Sequence, residues 1–224
     1  FLMNRQKDTN ALSLPYASED GISGEFHPYV NVGPSEDIIP DGTEYLSMCC
    51  WIKSVAAEVN EAASLSASYA NFMGNRRGDY ISLCKYSLND DLCALIQTET
   101  AGATIVSPAT TSYPVLDGNW HFVAVTFNKG VVKLYRDNRL IHTELINSGD
   151  DTIEGDDVTD IYGIGSDAYL GTDERYFVGQ IDECLHYTKV LSDGGTSTTD
   201  DSDDESIITG EILRIYNAGK RSHR

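Results

Sequence analysis

With 35 Asp and Glu against 16 Lys and Arg in 224 residues, the chain carries a formal charge of −19. That field repels nucleic acid and anionic membrane and suits cations or basic protein surfaces. At 41% apolar and 23% charged residues the composition is that of a globular protein, at a length that one large β-sandwich fills.

No apolar run approaches the ~18 residues of a membrane span, so no membrane insertion is expected. The opening Phe1-Leu2-Met3 has no initiator Met and no signal-peptide pattern. It reads as a fragment, a processed product or an incompletely known sequence, from which a targeting segment can have been lost. The basic end Lys220-Arg221-Ser222-His223-Arg224 reads as a solvated terminus.

Short β-rich runs broken by Gly, Asn and Asp mark strands at 11–14, 29–32, 45–52, 80–86, 92–97, 120–128, 131–136, 139–145, 161–164 and 176–187. The run from Trp120 to Phe127 is apolar on both faces, as a central strand buried on both sides requires. Lys129-Gly130 and then Asp137-Asn138 supply residues that tolerate positive φ, predicting two tight hairpin turns and a three-strand meander. Residues 55–69, rich in Ala, Ser and Glu, read as an irregular excursion with about one helical turn. Residues 192–206 are too polar to pack and predict a mobile acidic loop. One helix is expected, over 209–218, with Thr209 as N-cap, Ile212, Ile215 and Tyr216 on one face and Gly219 as the stop.

The five cysteines are Cys49, Cys50, Cys84, Cys93 and Cys184. Their spacing fits neither a zinc knuckle nor a dense disulfide scaffold. Cys49 and Cys50 are adjacent in a strand, so they point to opposite faces and cannot join one site. Buried thiols acting as small apolar residues are the default expectation. Cys84 and Cys93 flank a hairpin and are placed for a bridge across it. No Asn-x-Ser/Thr sequon occurs, which disfavours a glycosylated secreted protein.

From Trp120 onward the chain resembles the laminin-G-like and pentraxin-like branch of the concanavalin A-like superfamily. The resemblance rests on Trp120–Thr126, Val132–Asn138, Tyr162-Gly163-Ile164-Gly165, Phe177–Glu183, Leu191-Ser192 and Glu211–Tyr216, six motifs in the family's order. Upstream, Tyr29–Val32 and Leu46–Lys53 fit the family's first strands. Departures are Asn138 where the family's turn has Gly, and the acidic stretch that splits Leu191-Ser192 from its helix. The resemblance implies an all-β, two-sheet antiparallel jelly-roll sandwich with one short C-terminal helix, a single domain over 1–224 with an acidic insertion at 192–206.

Family resemblance also implies a structural calcium, held by Asp182 in its Gly-x-Ile-Asp-Glu context and by an early partner, Asp20 with the Gly21 carbonyl, or Glu25. Hard oxygen ligands in a negative field suit that ion. A second calcium site would need carboxylates clustered on one loop, a composition that Asp150, Asp151, Glu154, Asp156, Asp157 and Asp160 offer; a solvated acidic loop is the plainer reading. The Glu-x-Asp-x-x-Glu strand that aligns the acid pair of the family's glycoside hydrolases is absent, and no enzyme is expected. His121 reads as structural. Arg77-Gly78-Asp79 spells an integrin tripeptide, which ordinary turn chemistry also produces. Among 13 tyrosines, Tyr86, Tyr113, Tyr162, Tyr169 and Tyr176 stand near expected loops, where they would stack on sugars or fill the core.

Two function classes follow, because one scaffold hosts many functions. The first is a non-catalytic, lectin-like recognition module for a glycan or protein surface. The second is a structural subunit of a virion or appendage that contacts neighbouring subunits. Either places the chain outside the cell, on its surface or in a virion.

Overall fold

The computed structural model describes residues 11–14, 29–55, 69–75, 81–86, 91–108, 113–155, 161–166, 176–194 and 206–223. In chain order the strands are β1 (Leu12–Leu14), β2 (Val30–Pro34), β3 (Tyr45–Lys53), β4 (Tyr69–Gly74), β5 (Ile81–Tyr86), β6 (Asp91–Thr98), β7 (Gly102–Val106), β8 (His121–Asn128), β9 (Val131–Arg136), β10 (Arg139–Leu145), β11 (Ile161–Ile164), β12 (Gly179–Tyr187) and β13 (Ser206–Ile207). A single turn, α1 (Ser35–Ile38), a 3-10 turn at Asn147–Gly149 and a C-terminal helix, α2 (Glu211–Gly219), complete the described elements. The strands form two antiparallel sheets, ordered β1-β12-β3-β8-β9-β10-β13 and β2-β11-β4-β5-β6-β7. This is the expected all-β sandwich with its short C-terminal helix.

β8 lies in the middle of the seven-stranded sheet, which explains its two apolar faces. Val123, Val125 and Phe127 join the core between the sheets, together with Leu46, Met48, Cys50 and Ile52 of β3. Phe122 and Ala124 point the other way, into a second core shared with Cys49, Trp51, Ile212 and Tyr216. Cys49 and Cys50 therefore do face opposite sides. At the turn between β8 and β9, Lys129 (φ 48) and Gly130 (φ 87) both adopt positive φ, as a primed hairpin turn requires. Asp137, between β9 and β10, does the same (φ 54).

α2 is nine residues long, too short to stand alone in water. Packing holds it instead. Ile212 and Tyr216 are buried on the outer face of the seven-stranded sheet, and Tyr216 stacks on Trp51 at 5.5 Å. Each side chain so buried contributes ~1.5–3 kcal/mol.

The helix start differs from expectation. Thr209 is not the N-cap; Gly210 holds that position and offers no side chain. The cap comes instead from 19 positions upstream. The Ser192 hydroxyl accepts the Glu211 N–H at 3.2 Å, and the Glu211 carboxylate accepts the Ser192 N–H at 3.0 Å. This is the reciprocity of a capping box, built from two distant segments. Thr209 and Gly210 donate their N–H groups to the Asp193 carbonyl at 2.7 and 3.0 Å. The Thr209 hydroxyl donates to the Gly194 carbonyl at 3.2 Å. Hence Ser192–Gly194 and Ser206, expected within the acidic insertion, belong to the framework. Residues 195–205 lie outside the described residues.

Besides β13 and the 3-10 turn at Asn147–Gly149, three elements were not expected from sequence. β4 begins where the 55–69 excursion was expected to end, β7 pairs with β6, and α1 follows β2. β8 begins at His121 and β12 at Gly179, each later than the run that predicted it.

Candidate ligand-binding surface

In β3 the alternation of side chains sets Tyr45 on the same outer face as Cys49 and Trp51. Tyr45 stands opposite Asn128 of β8, Asn128 opposite Val131 of β9, and Val131 opposite Leu145 of β10. Residues directly opposite share a face, so these four make one row across four strands, ~14 Å long. α2 covers the same face further along, and the row itself is open. Tyr45 is 41% exposed and Leu145 60%. Asn128 is exposed and Val131 half-buried. The next row inward is polar: Ser47, Thr126, Lys133 and Thr143. Lys133 is tied to Asp193 at 2.6 Å.

Charges frame the row. Lys129 lies 5.9 Å from the centre of the Tyr45 ring, 3.3 Å from Glu44 and 3.9 Å from Asp150. Glu44, ahead of Asp150, raises the Lys129 ammonium above its ordinary range. The arrangement offers an aromatic face, an amide and an apolar ledge, with one cation flanked by two anions. Sequence reading missed Tyr45. Its signal was the alternation with Cys49 and Trp51 at a strand end beside a predicted turn.

The carboxylates considered for a second calcium site turn to separate partners. Asp150 is almost fully exposed beside Lys129. Asp151 is buried, accepting from the Thr100 hydroxyl at 2.5 Å and the Thr152 N–H at 3.0 Å. Burial pushes its carboxyl up, but hydrogen bonds from Thr100, Thr98 and two backbone N–H groups outweigh this and hold it below the ordinary range. Glu154 accepts from the Gln97 amide at 2.8 Å. Asp156, Asp157 and Asp160 lie outside the described residues.

Asp182 sits on β12 opposite Trp51, at a register shift that ends at Leu185. Its Oδ1 accepts the Glu183 N–H at 2.7 Å, and its Oδ2 meets His223 Nε2 at 3.1 Å. His223 Nδ1 faces the Gly219 carbonyl at 2.9 Å. Both ring nitrogens thus face oxygen atoms, one on β12 and one at the end of α2. The imidazole lies flat on Trp51, 4.5 Å between centres, and makes a T-shaped contact with Trp120 at 4.6 Å. Gly219 permits this close seat, since a Cβ there would overlap Trp51 Nε1.

Calcium takes six to eight oxygens. Asp182 offers two, both hydrogen-bonded, and among the described residues no three His, Cys, Asp or Glu side chains gather as a metal site. The other expected ligands, Asp20, Gly21 and the alternative Glu25, lie outside the described residues, as do Arg77, Gly78 and Asp79.

His121 is buried and bridges two carboxylates, Asp117 through Nε2 and Asp137 through Nδ1, each at 3.0 Å. Asp137 Oδ1 also accepts the Phe122 N–H at 3.1 Å. His121 thereby fastens the start of β8 to the β9–β10 turn. Of the tyrosines singled out, Tyr113 and Tyr162 are core residues, 9% and 2% exposed, and present no face to a ligand. Tyr176 is half-buried, and Tyr169 and the Tyr86 side chain are outside the description.

A family model described as the concanavalin A-like lectin/glucanases superfamily matches residues 24–194. No curated protein matches the chain in sequence. Among solved structures, the binding domain of Paraclostridial Mosquitocidal Protein 1 superposes with a TM-score of 0.56 at 11% identity, over 94% of this chain and 47% of that one. The ligand binding domain of botulinum neurotoxin serotype D, solved in complex with N-acetylneuraminic acid, gives 0.54 at 15% identity, over 95% and 45%. A heptameric SAP-like pentraxin from Limulus polyphemus gives 0.48 at 14% identity, over 80% and 76%. The chain spans less than half the length of both toxin domains.

Proposed function

Because the chain belongs to the concanavalin A-like lectin/glucanase superfamily, we propose that it is a non-catalytic recognition module whose open row Tyr45–Asn128–Val131–Leu145 binds a glycan. The observation that supports this most is the exposed Tyr45 ring beside an exposed amide on a rigid sheet. Pyranose rings stack their C–H faces on aromatic rings, while an amide fixes their hydroxyls. The superfamily includes glucanases, but the carboxylate pattern of their catalytic strand is missing from this sequence.

The serotype D toxin domain was solved with an acidic sugar. In this chain Glu44 and Asp150 outnumber Lys129, and the whole molecule carries −19, so a neutral sugar is favoured over an anionic one. Screening the purified chain on an array of neutral and sialylated glycans tests the reading. Binding to neutral glycans is expected, and an array without any signal overturns it.

A second reading, an assembly subunit, draws on the edges of the six-stranded sheet. β2 ends that sheet with Val30 and Val32 exposed at 38% and 49%, and β7 ends it with Ile105 at 42%. Exposed β-branched edge strands are templates for pairing with another chain. A concentration-dependent rise in mass under light scattering, abolished by Val32→Lys, would favour this second reading.

A further inference from the structure

β5 and β6 pair antiparallel in unbroken register, with Cys84 directly opposite Cys93. The two sulfurs lie 3.0 Å apart. Both residues are fully buried and form, with Leu95, a small cluster separate from the two larger cores. Leu83, Leu92 and Ala94 fill the core between the sheets, so Cys84 and Cys93 share the opposite face of the six-stranded sheet. Opposed residues in such a ladder have Cα atoms ~4.5–5.5 Å apart, inside the ~4.4–6.8 Å that a disulfide spans. The backbone already holds the geometry a bond would need.

The other thiols are placed differently. Cys49 faces the α2 side of the seven-stranded sheet, and burial, then Cys184 and Glu183, push its thiol up to about 12. Cys50 hydrogen-bonds with Cys184, and burial followed by that bond raises it well above its ordinary range. Cys184 itself lies within the register shift between Asp182 and Leu185, where β12 departs from regular pairing with β3. Reactive cysteines are those with ready access to the thiolate, so Cys49 and Cys50 are poor candidates.

We propose that Cys84 and Cys93 are a disulfide-forming pair that locks the β5–β6 hairpin in an oxidising environment. A small disulfide such as oxidised glutathione serves as oxidant. One cysteine thiolate attacks it, breaking its S–S bond and releasing the first glutathione thiolate. The second cysteine thiolate attacks the protein sulfur of the mixed disulfide and releases the other. The protein loses two electrons and two protons, which leave in two molecules of glutathione. Because both sulfurs are buried in the folded chain, the bond forms as the hairpin folds or opens locally.

The test refolds the chain with oxidised glutathione or with reductant, then denatures it without reductant, alkylates it and weighs it. The expected oxidised product takes three alkyl groups where the reduced one takes five, and its digest contains a peptide pair joined through Cys84 and Cys93. A short closed loop of this kind raises the Tm by roughly 5–10 °C over the reduced form, a difference that Cys84→Ala abolishes. Five alkyl groups after oxidative refolding, or a link joining any other pair, overturns the proposal. The mass count is read on the unsubstituted chain and stands whether or not the variant folds.

Discussion

Asp182 and His223 stand 41 positions apart and meet at 3.1 Å, carboxylate to imidazole, on the outer face of the seven-stranded sheet. The contact ties the residues after α2 to β12, with the imidazole stacked on Trp51 and in T-shaped contact with Trp120. Asp182→Asn and His223→Ala should each lower the Tm by a few degrees. The double variant should lose less than the sum, with a coupling of about 0.5–3 kcal/mol. Strict additivity in thermal denaturation would mean that the two residues stabilise the fold independently.

The acidic insertion should be dispensable, because Asp193 and Gly194 already bond to Thr209 and Gly210 at its base. Closure entropy changes slowly with loop length. Deleting residues 196–204 should therefore leave the Tm within about 3 °C. Ser192→Ala removes the hydroxyl that caps α2 and should cost ~1 kcal/mol. A deletion more damaging than the cap variant would show that the insertion contributes packing of its own.

Two of the depressed groups contribute to separate acid limbs. Burial holds the His186 imidazole, 3.4 Å from the Tyr162 hydroxyl, below its ordinary range. The unfolded chain therefore takes up this proton first, near pH ~6.5, and stability falls as pH drops from there through the folded value. Asp151 is also depressed, but as an acid. Its stabilisation is complete above the unfolded pKa of ~3.9 and is lost as pH falls through the folded value. His186→Phe should flatten the decline that begins below pH ~6.5, and Asp151→Asn the one below pH ~4. Unfolding curves measured every half unit from pH 3 to 8 separate the two limbs, and variants that parallel the unsubstituted chain throughout would refute the assignment.

Much of the fold was legible because apolar alternation and turn residues agree. The stretch from Trp120 to Leu145 carries two apolar faces and two positive-φ turns, and became β8–β10. β4 was hidden because Tyr-Ala-Asn-Phe-Met-Gly holds three residues that strands disfavour. Its Asn71 is tolerated because the amide donates to the Ser166 carbonyl at 2.8 Å and accepts from the Ser82 hydroxyl at 2.6 Å, partners that only the folded chain brings near. The α2 cap was misplaced for the same reason: Thr209 is next to the helix in sequence, but Ser192 is next to it in space. The ligand surface was the least legible feature. Tyr45, Asn128, Val131 and Leu145 become neighbours only through the register of four strands, whereas the tyrosines near expected loops include two that fill the core.

The central claim is that the Tyr45 row binds a neutral glycan. Isothermal titration of the best array ligand into the chain and into Tyr45→Ala tests it most directly. Tyr45 is 41% exposed at a strand end, so its truncation should leave the Tm within about 2 °C, as surface substitutions do. Affinity should fall tenfold or more, since the loss of ~1.4 kcal/mol of stacking is a factor of ten. Equal affinity in the two proteins, with both fully folded, would contradict the account.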